Sequence, residues 1–130
     1  MVKVVLDTNI LVSALWSNKG NPYKILEHIF KNDLLLYYNY EILNEYIEVL
    51  YRNRFGFSEQ DLQGLFSEII IKGVLAESFI YDIRFIDEND KKFYDLAKSN
   101  EAILITGNIK HYPNEPFIMT PRKFLTFHNL

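Results

Sequence analysis

Hydrophobic and polar positions along this chain switch between the period of strands and the period of helices. Val2–Leu6 is a short, β-branched apolar run that closes on Asp7, which predicts a buried strand. A short helical stretch through Leu15 and Trp16 ends at the polar break Ser17-Asn18-Lys19-Gly20-Asn21. Pro22 is placed to open a helix carrying Ile25, Leu26, Ile29 and Phe30. Leu34–Tyr38 reads as a second strand, and residues 40 to about 53 as a helix with Ile42, Leu43, Tyr46, Ile47, Leu50 and Tyr51 on its apolar face. Ser58 with Asp61 three residues on forms a helix-capping pattern, and the helix runs to Lys72, where Gly73 ends it. Residues 74–77 are a candidate strand.

The alternation then repeats. Asp87 is placed to cap a helix over residues 87–100 that turns Phe93, Leu96 and Ala97 inward. Residues 102–106 and 117–119 read as strands, and Pro121 opens a terminal helix containing Phe124 and Leu125. Strands alternating with helices predict an α/β domain with a central parallel sheet flanked by helices. Such sheets bind ligands beyond the carboxyl ends of their strands, where Asp7 and Asn108 fall.

Composition narrows the chemistry. At 130 residues the chain fits one domain spanning residues 1–130, and 48% hydrophobic with 24% charged residues excludes wholesale disorder. No cysteine means no disulfide, thiolate metal site or cysteine nucleophile. Neither a signal peptide's apolar stretch nor a run of about 18 apolar residues occurs, so a cytoplasmic protein without a membrane partner is expected. Fourteen basic against 17 acidic residues argue against a broad nucleic-acid-coating surface. There is no Gly-rich phosphate loop and no nucleophile elbow. His28, His111 and His128 lack the spacing of a helical zinc pair, so any metal must rely on oxygen ligands, which points to Mg²⁺ or Mn²⁺.

Three carboxylates then matter, each with two readings. Asp7 closes a strand at the ligand-binding edge, yet Asp7-Thr8-Asn9 also suits a turn or helix cap. Glu45 lies ~40° outside the apolar sector of its helix, at the border of a cleft or of solvent. Asp90 shares the inward face of Phe93 and Ala97, and it also sits where a helix dipole stabilises a carboxylate. Asp87 is explained by capping alone. Negative charge from three distant segments in one pocket would call for a divalent cation.

The segments Val4-Val5-Leu6-Asp7-Thr8-Asn9-Ile10-Leu11, Ile42-Leu43-Asn44-Glu45-Tyr46, Asp87-Glu88-Asn89-Asp90-Lys91-Lys92-Phe93 and Ile103-Leu104-Ile105-Thr106-Gly107-Asn108 together resemble the PIN-domain family of ribonucleases, which includes the VapC-like toxins of toxin–antitoxin pairs. The ending Thr120-Pro121-Arg122-Lys123-Phe124-Leu125 resembles a toxin-like branch of that family. The resemblance implies a single Rossmann-like domain. It assigns Asp7, Glu45 and Asp90 to a metal site, with Asn9, Thr106 and Asp87 supporting it. Asn108 stands where the family usually has a fourth acid; its amide can ligate or orient water but adds no charge.

The implied activity is Mg²⁺- or Mn²⁺-dependent hydrolysis of RNA phosphodiesters, with Asp7, Glu45, Asp90 and Asn108 as the catalytic set. Arg52, Arg54, Lys91, Lys92 and Lys110 are candidate phosphate contacts. An antitoxin protein and a homodimer are the implied partners. The alternative is a catalytically weak PIN fold that binds RNA or a protein without turnover. A receiver-like or phosphatase-like domain is disfavoured, because Thr8 and Asn9 occupy the positions where those need acids.

Overall fold

The computed structural model describes residues 1–130. Five parallel strands run β1 (Val2–Leu6), β2 (Leu34–Tyr38), β3 (Val74–Leu75), β4 (Ile103–Ile105) and β5 (Ile118–Met119), in the spatial order β3-β2-β1-β4-β5. Six helices flank them: α1 (Thr8–Trp16), α2 (Asn21–Phe30), α3 (Tyr40–Leu50), α4 (Glu59–Lys72), α5 (Lys91–Ser99) and α6 (Pro121–Phe127). The expected α/β class and parallel sheet are what the chain forms.

β1 is central because it is apolar on both faces. Val4, Val5 and Leu6 have no solvent exposure, and each side chain so buried contributes about 1.5–3 kcal/mol. β1 pairs with β2 on one side, and on the other with β4 in the register Val4↔Ile103 and Leu6↔Ile105. The chain order reverses at β1, between β2 and β4, which is where a parallel sheet opens a crevice at its carboxyl edge. The register Leu6↔Ile105 sets Asp7 beside Thr106 on that edge.

Local signals behave as expected at several termini. Ser58 accepts from Asp61 N–H at 3.1 Å, Pro121 opens α6, and Gly73 ends α4. Gly73 has a second reason to be glycine. A Cβ there would lie 2.4 Å from the Ile69 carbonyl and 2.9 Å from the Tyr38 ring.

Some boundaries differ from the pattern. α3 stops at Leu50 rather than near Asn53, and Asn53–Phe55 forms a separate 3-10 turn. Ile47 and Tyr51, expected on the inner face, are partly exposed, while Ile42, Leu43, Tyr46 and Leu50 are buried. Asp87 caps a 3-10 turn, Glu88–Asp90, rather than α5 itself, by accepting from Asn89 N–H at 2.9 Å. No helix is long and apolar enough to cross a membrane.

Candidate functional site

Asp7 follows β1 and is almost wholly buried, a costly position for a carboxylate without compensating donors. It has them. Thr106 Oγ1 and Tyr112 OH both donate to Asp7 Oδ2, at 2.8 and 3.0 Å. Asp7 Oδ1 accepts a long bond of 3.4 Å from Asn9 N–H at the start of α1, so Asp7 also caps that helix. The Asp7 backbone N–H donates to the Ile105 carbonyl, which ties the residue to β4 as well.

Thr106 links two of the expected residues. Its hydroxyl donates to Asp7 and accepts from Asn108 N–H at 3.0 Å, which shapes the turn after β4. Asn108 is exposed at this turn and its side chain makes no hydrogen bond within the chain. Beneath Asp7, Tyr46 OH donates to the Leu6 carbonyl at 2.5 Å. The Tyr46 and Tyr112 hydroxyls are held well above their ordinary pKa, by burial first and then by the Asp7 charge. Both therefore remain proton donors at neutral pH.

Asp90 ends the 3-10 turn before α5. Its carboxyl is pushed up to about 6, by burial first, then by the charges of Asp7 and Asp87, and opposed by His111. His111 Nδ1 stands 3.5 Å from Asp90 Oδ2. The like-charge effect of Asp7 on Asp90 brings two of the expected carboxylates into one electrostatic neighbourhood from distant segments of the chain. Asp87 adds its charge from an exposed position.

Glu45 lies at the same edge with partners of its own. Its Oε1 pairs with Lys92 Nζ at 2.6 Å, and its Oε2 accepts from the Thr8 hydroxyl. No three His, Asp or Glu side chains are arranged to hold a metal ion. The oxygen donor set suits a hard cation, and the charges of Asp7, Asp90 and Glu45 all act on the Tyr112 hydroxyl. The Glu45 oxygens are meanwhile occupied by Lys92 and Thr8.

The expected phosphate contacts also divide. Lys91 folds onto Asp95 at 2.8 Å in a largely buried pair, so it is a structural cation and that expectation is corrected. Lys92 is likewise taken up by Glu45. Arg52 is exposed but engages both oxygens of Glu48 along α3, at 3.0 and 2.9 Å. Lys110 is exposed beside the turn after β4 and lines a surface cleft with Tyr112, Glu115 and Lys123. That cleft adjoins the carboxylates through Tyr112 rather than containing them.

Sequence reasoning passed over Tyr112 and the Lys92–Glu45 pairing, and it gave Thr8 and His111 no role at this edge. Thr8 carries a signal, being flanked by Asp7 and Asn9. Tyr112 carries none, since it reaches Asp7 only through the turn after β4.

Residues 3–110 match the PIN domain family. Over 111 residues the chain is 32% identical to an uncharacterized protein of Methanocaldococcus jannaschii, a match covering 82% of this chain and 71% of that protein. No solved structure matches the chain significantly. With the parallel sheet and the acidic carboxyl edge, these similarities place the chain in the PIN domain family, whose members are generally nucleases.

Proposed function

We propose that this chain is a metal-dependent endoribonuclease whose reaction centre is the carboxyl edge around Asp7 and Asp90. The observation that carries this reading is the effect of Asp7 on Asp90. Burial and the neighbouring charge of buried Asp7 together make Asp90 harder to ionise, and folding gains nothing from placing the two carboxylates side by side. Asp7, Asp90 and, once released by Lys92, Glu45 would hold Mg²⁺ or Mn²⁺. When bound, the ion supplies Lewis-acid polarisation of the phosphate and a more acidic attacking water.

The chain's own residues do the positioning. Thr106 and Tyr112 fix one oxygen of Asp7, leaving the other on the side of Asn9 N–H. Asn108 presents an unengaged amide at the same edge, suited to orienting water or a phosphate oxygen. Lys110 stands next to it for an adjacent phosphate. The toxin role, with an antitoxin protein as partner, follows from the family resemblance of the C-terminal segment and belongs to the same proposal.

The test is calorimetric titration with Mn²⁺ together with RNA cleavage. Binding and cleavage should both be lost in Asp7→Asn and Asp90→Asn variants that still fold. Unchanged cleavage in both would place the reaction elsewhere.

A second reading, a PIN fold that binds RNA or protein without turnover, is favoured by the Glu45–Lys92 pair and by Asn108. Asn108→Asp separates the two. A gain in cleavage of tenfold or more, roughly one strong ligand's worth, would support the weak-enzyme reading.

A further inference from the structure

Trp16 closes α1 and is the chain's single tryptophan, yet it is 62% exposed. It stands in a cluster of rings. Its indole meets Phe55 edge-on at 5.4 Å between centroids and Phe57 edge-on at 6.0 Å. Those two phenyl rings stack on each other at 5.7 Å, with 11° between their planes. Continued as a helix, the 3-10 turn Asn53–Phe55 would put residues two apart on nearly opposite sides. Gly56 instead ends the turn at φ 65°, the left-handed conformation that favours glycine, and Phe57 comes back against Phe55. The Arg54 guanidinium lies 4.9 Å from the Phe55 ring centroid.

Two helices tie this cluster to the proposed reaction centre. Thr8 opens α1, and its hydroxyl donates to Glu45 on α3. Eight residues further along α1, Trp16 meets Phe55, which lies ten residues beyond Glu45. The two segments therefore leave the carboxyl edge side by side. At 1.5 Å per residue, the rings lie about 12 Å along α1 from the Thr8–Glu45 contact. That distance is spanned by roughly three to four stacked nucleotides at ~3.4 Å each.

Charge selects the occupant. Residues 8–26 and 49–58 build the cluster and its flanks, and they carry Lys19, Lys24, Arg52 and Arg54 but no Asp or Glu, in a chain of net charge −3. Arg52 is spent on Glu48, whereas Lys19 and Arg54 enter no ion pair. Exposed rings among unpaired cations match a ligand that is both planar and anionic. A second copy of the same face would set like charges against each other.

We propose that Trp16, Phe55 and Phe57 form a stacking site for unpaired bases of the RNA substrate, with Arg54 and Lys19 contacting its phosphates. The proposal rests on the nuclease reading and adds a requirement to it: the strand crossing the carboxyl edge stays single along α1 as far as Trp16. A duplex, whose bases are already paired and stacked, offers Trp16 no free base face.

Because Trp16 is the sole tryptophan, its fluorescence reports this site alone. In EDTA, without turnover, a single-stranded RNA of about 12 nucleotides should quench it saturably, and the same sequence as a blunt duplex should not. Trp16→Ala should weaken binding of that single strand about fivefold or more, read by anisotropy of a labelled RNA, and Trp16→Phe should recover most of the loss. Arg54→Gln should reduce the salt dependence of binding by roughly one released counterion. Circular dichroism checks that the variants fold. Absent quenching, equal quenching by the duplex, or wild-type affinity in Trp16→Ala would each overturn the proposal. So would Trp16 emission that shifts with protein concentration alone, which would assign the cluster to a protein–protein contact. With Mn²⁺ restored, quenching without cleavage would count against the nuclease reading and leave the stacking site in place. Cleavage by Trp16→Ala with an unchanged KM would overturn the stacking site alone.

Discussion

Lys92 Nζ sits 2.6 Å from Glu45 Oε1, so the third acid of the proposed cation site carries its own neutralising partner. The two side chains are 11% and 24% exposed, which shields the pair from solvent more than a surface salt bridge. They come from α3 and α5, and the contact joins two helices at the carboxyl edge of the sheet.

Removing the lysine separates its two effects. Lys92→Met should lower the stability of the metal-free protein by about 1–2 kcal/mol, because Glu45 loses its charged donor in a half-buried position. The same variant should bind Mn²⁺ roughly tenfold more tightly, since the ion no longer competes with an ammonium. Urea denaturation and calorimetry check the two effects; weaker Mn²⁺ binding would show that Lys92 assists the site.

Asp90 predicts a pH dependence of stability. Its carboxyl titrates at about 6 in the folded chain against 3.8 as a free group, so the folded state holds the proton more tightly than the unfolded one. Ionising Asp90 therefore costs stability as pH rises from about 4 through 6, and the penalty is complete above that. Asp90→Asn in metal-free protein should raise Tm by about 2–5 °C at pH 8, with the gap closing towards pH 4. Melting curves at both pH values decide it; an equal gap at both would assign the effect to packing.

Tyr112→Phe removes one of the two hydroxyls on Asp7 Oδ2 and leaves the ring's packing on Phe85 in place. The expected loss is about 1–2 kcal/mol of stability. Cleavage should fall about tenfold as Asp7 loses its fixed orientation, equivalent to roughly 1.4 kcal/mol in the transition state. Thr106→Val should cost more, because Thr106 also accepts from Asn108 N–H. The double variant should fall short of the sum, as expected for two donors on one oxygen.

Gly73→Ala tests the fold apart from the site. The added methyl would press into the Ile69 carbonyl and the Tyr38 ring, so α4 or the β3 edge must shift. A destabilisation of about 1–3 kcal/mol is expected by chemical denaturation. A neutral result would mean that the chain after α4 gives way freely.

The residue pattern by itself determined the elements and their order. Val2–Leu6, Leu34–Tyr38, the Ser58 cap, the Gly73 stop and the Pro121 start all follow from local preferences, which act within a few residues and survive in any fold built from them. It also singled out Asp7, Asn108 and Asp90, because a polar residue just past a buried strand or at a helix start is conspicuous against its apolar neighbours. Only the tertiary structure decided what those residues touch. Tyr112 and Thr106 reach Asp7 across 105 and 99 residues of chain, and Lys92 takes Glu45 from another helix. Such partners depend on how the sheet orders its strands and on which donor arrives first at a buried carboxylate, and no local periodicity encodes either.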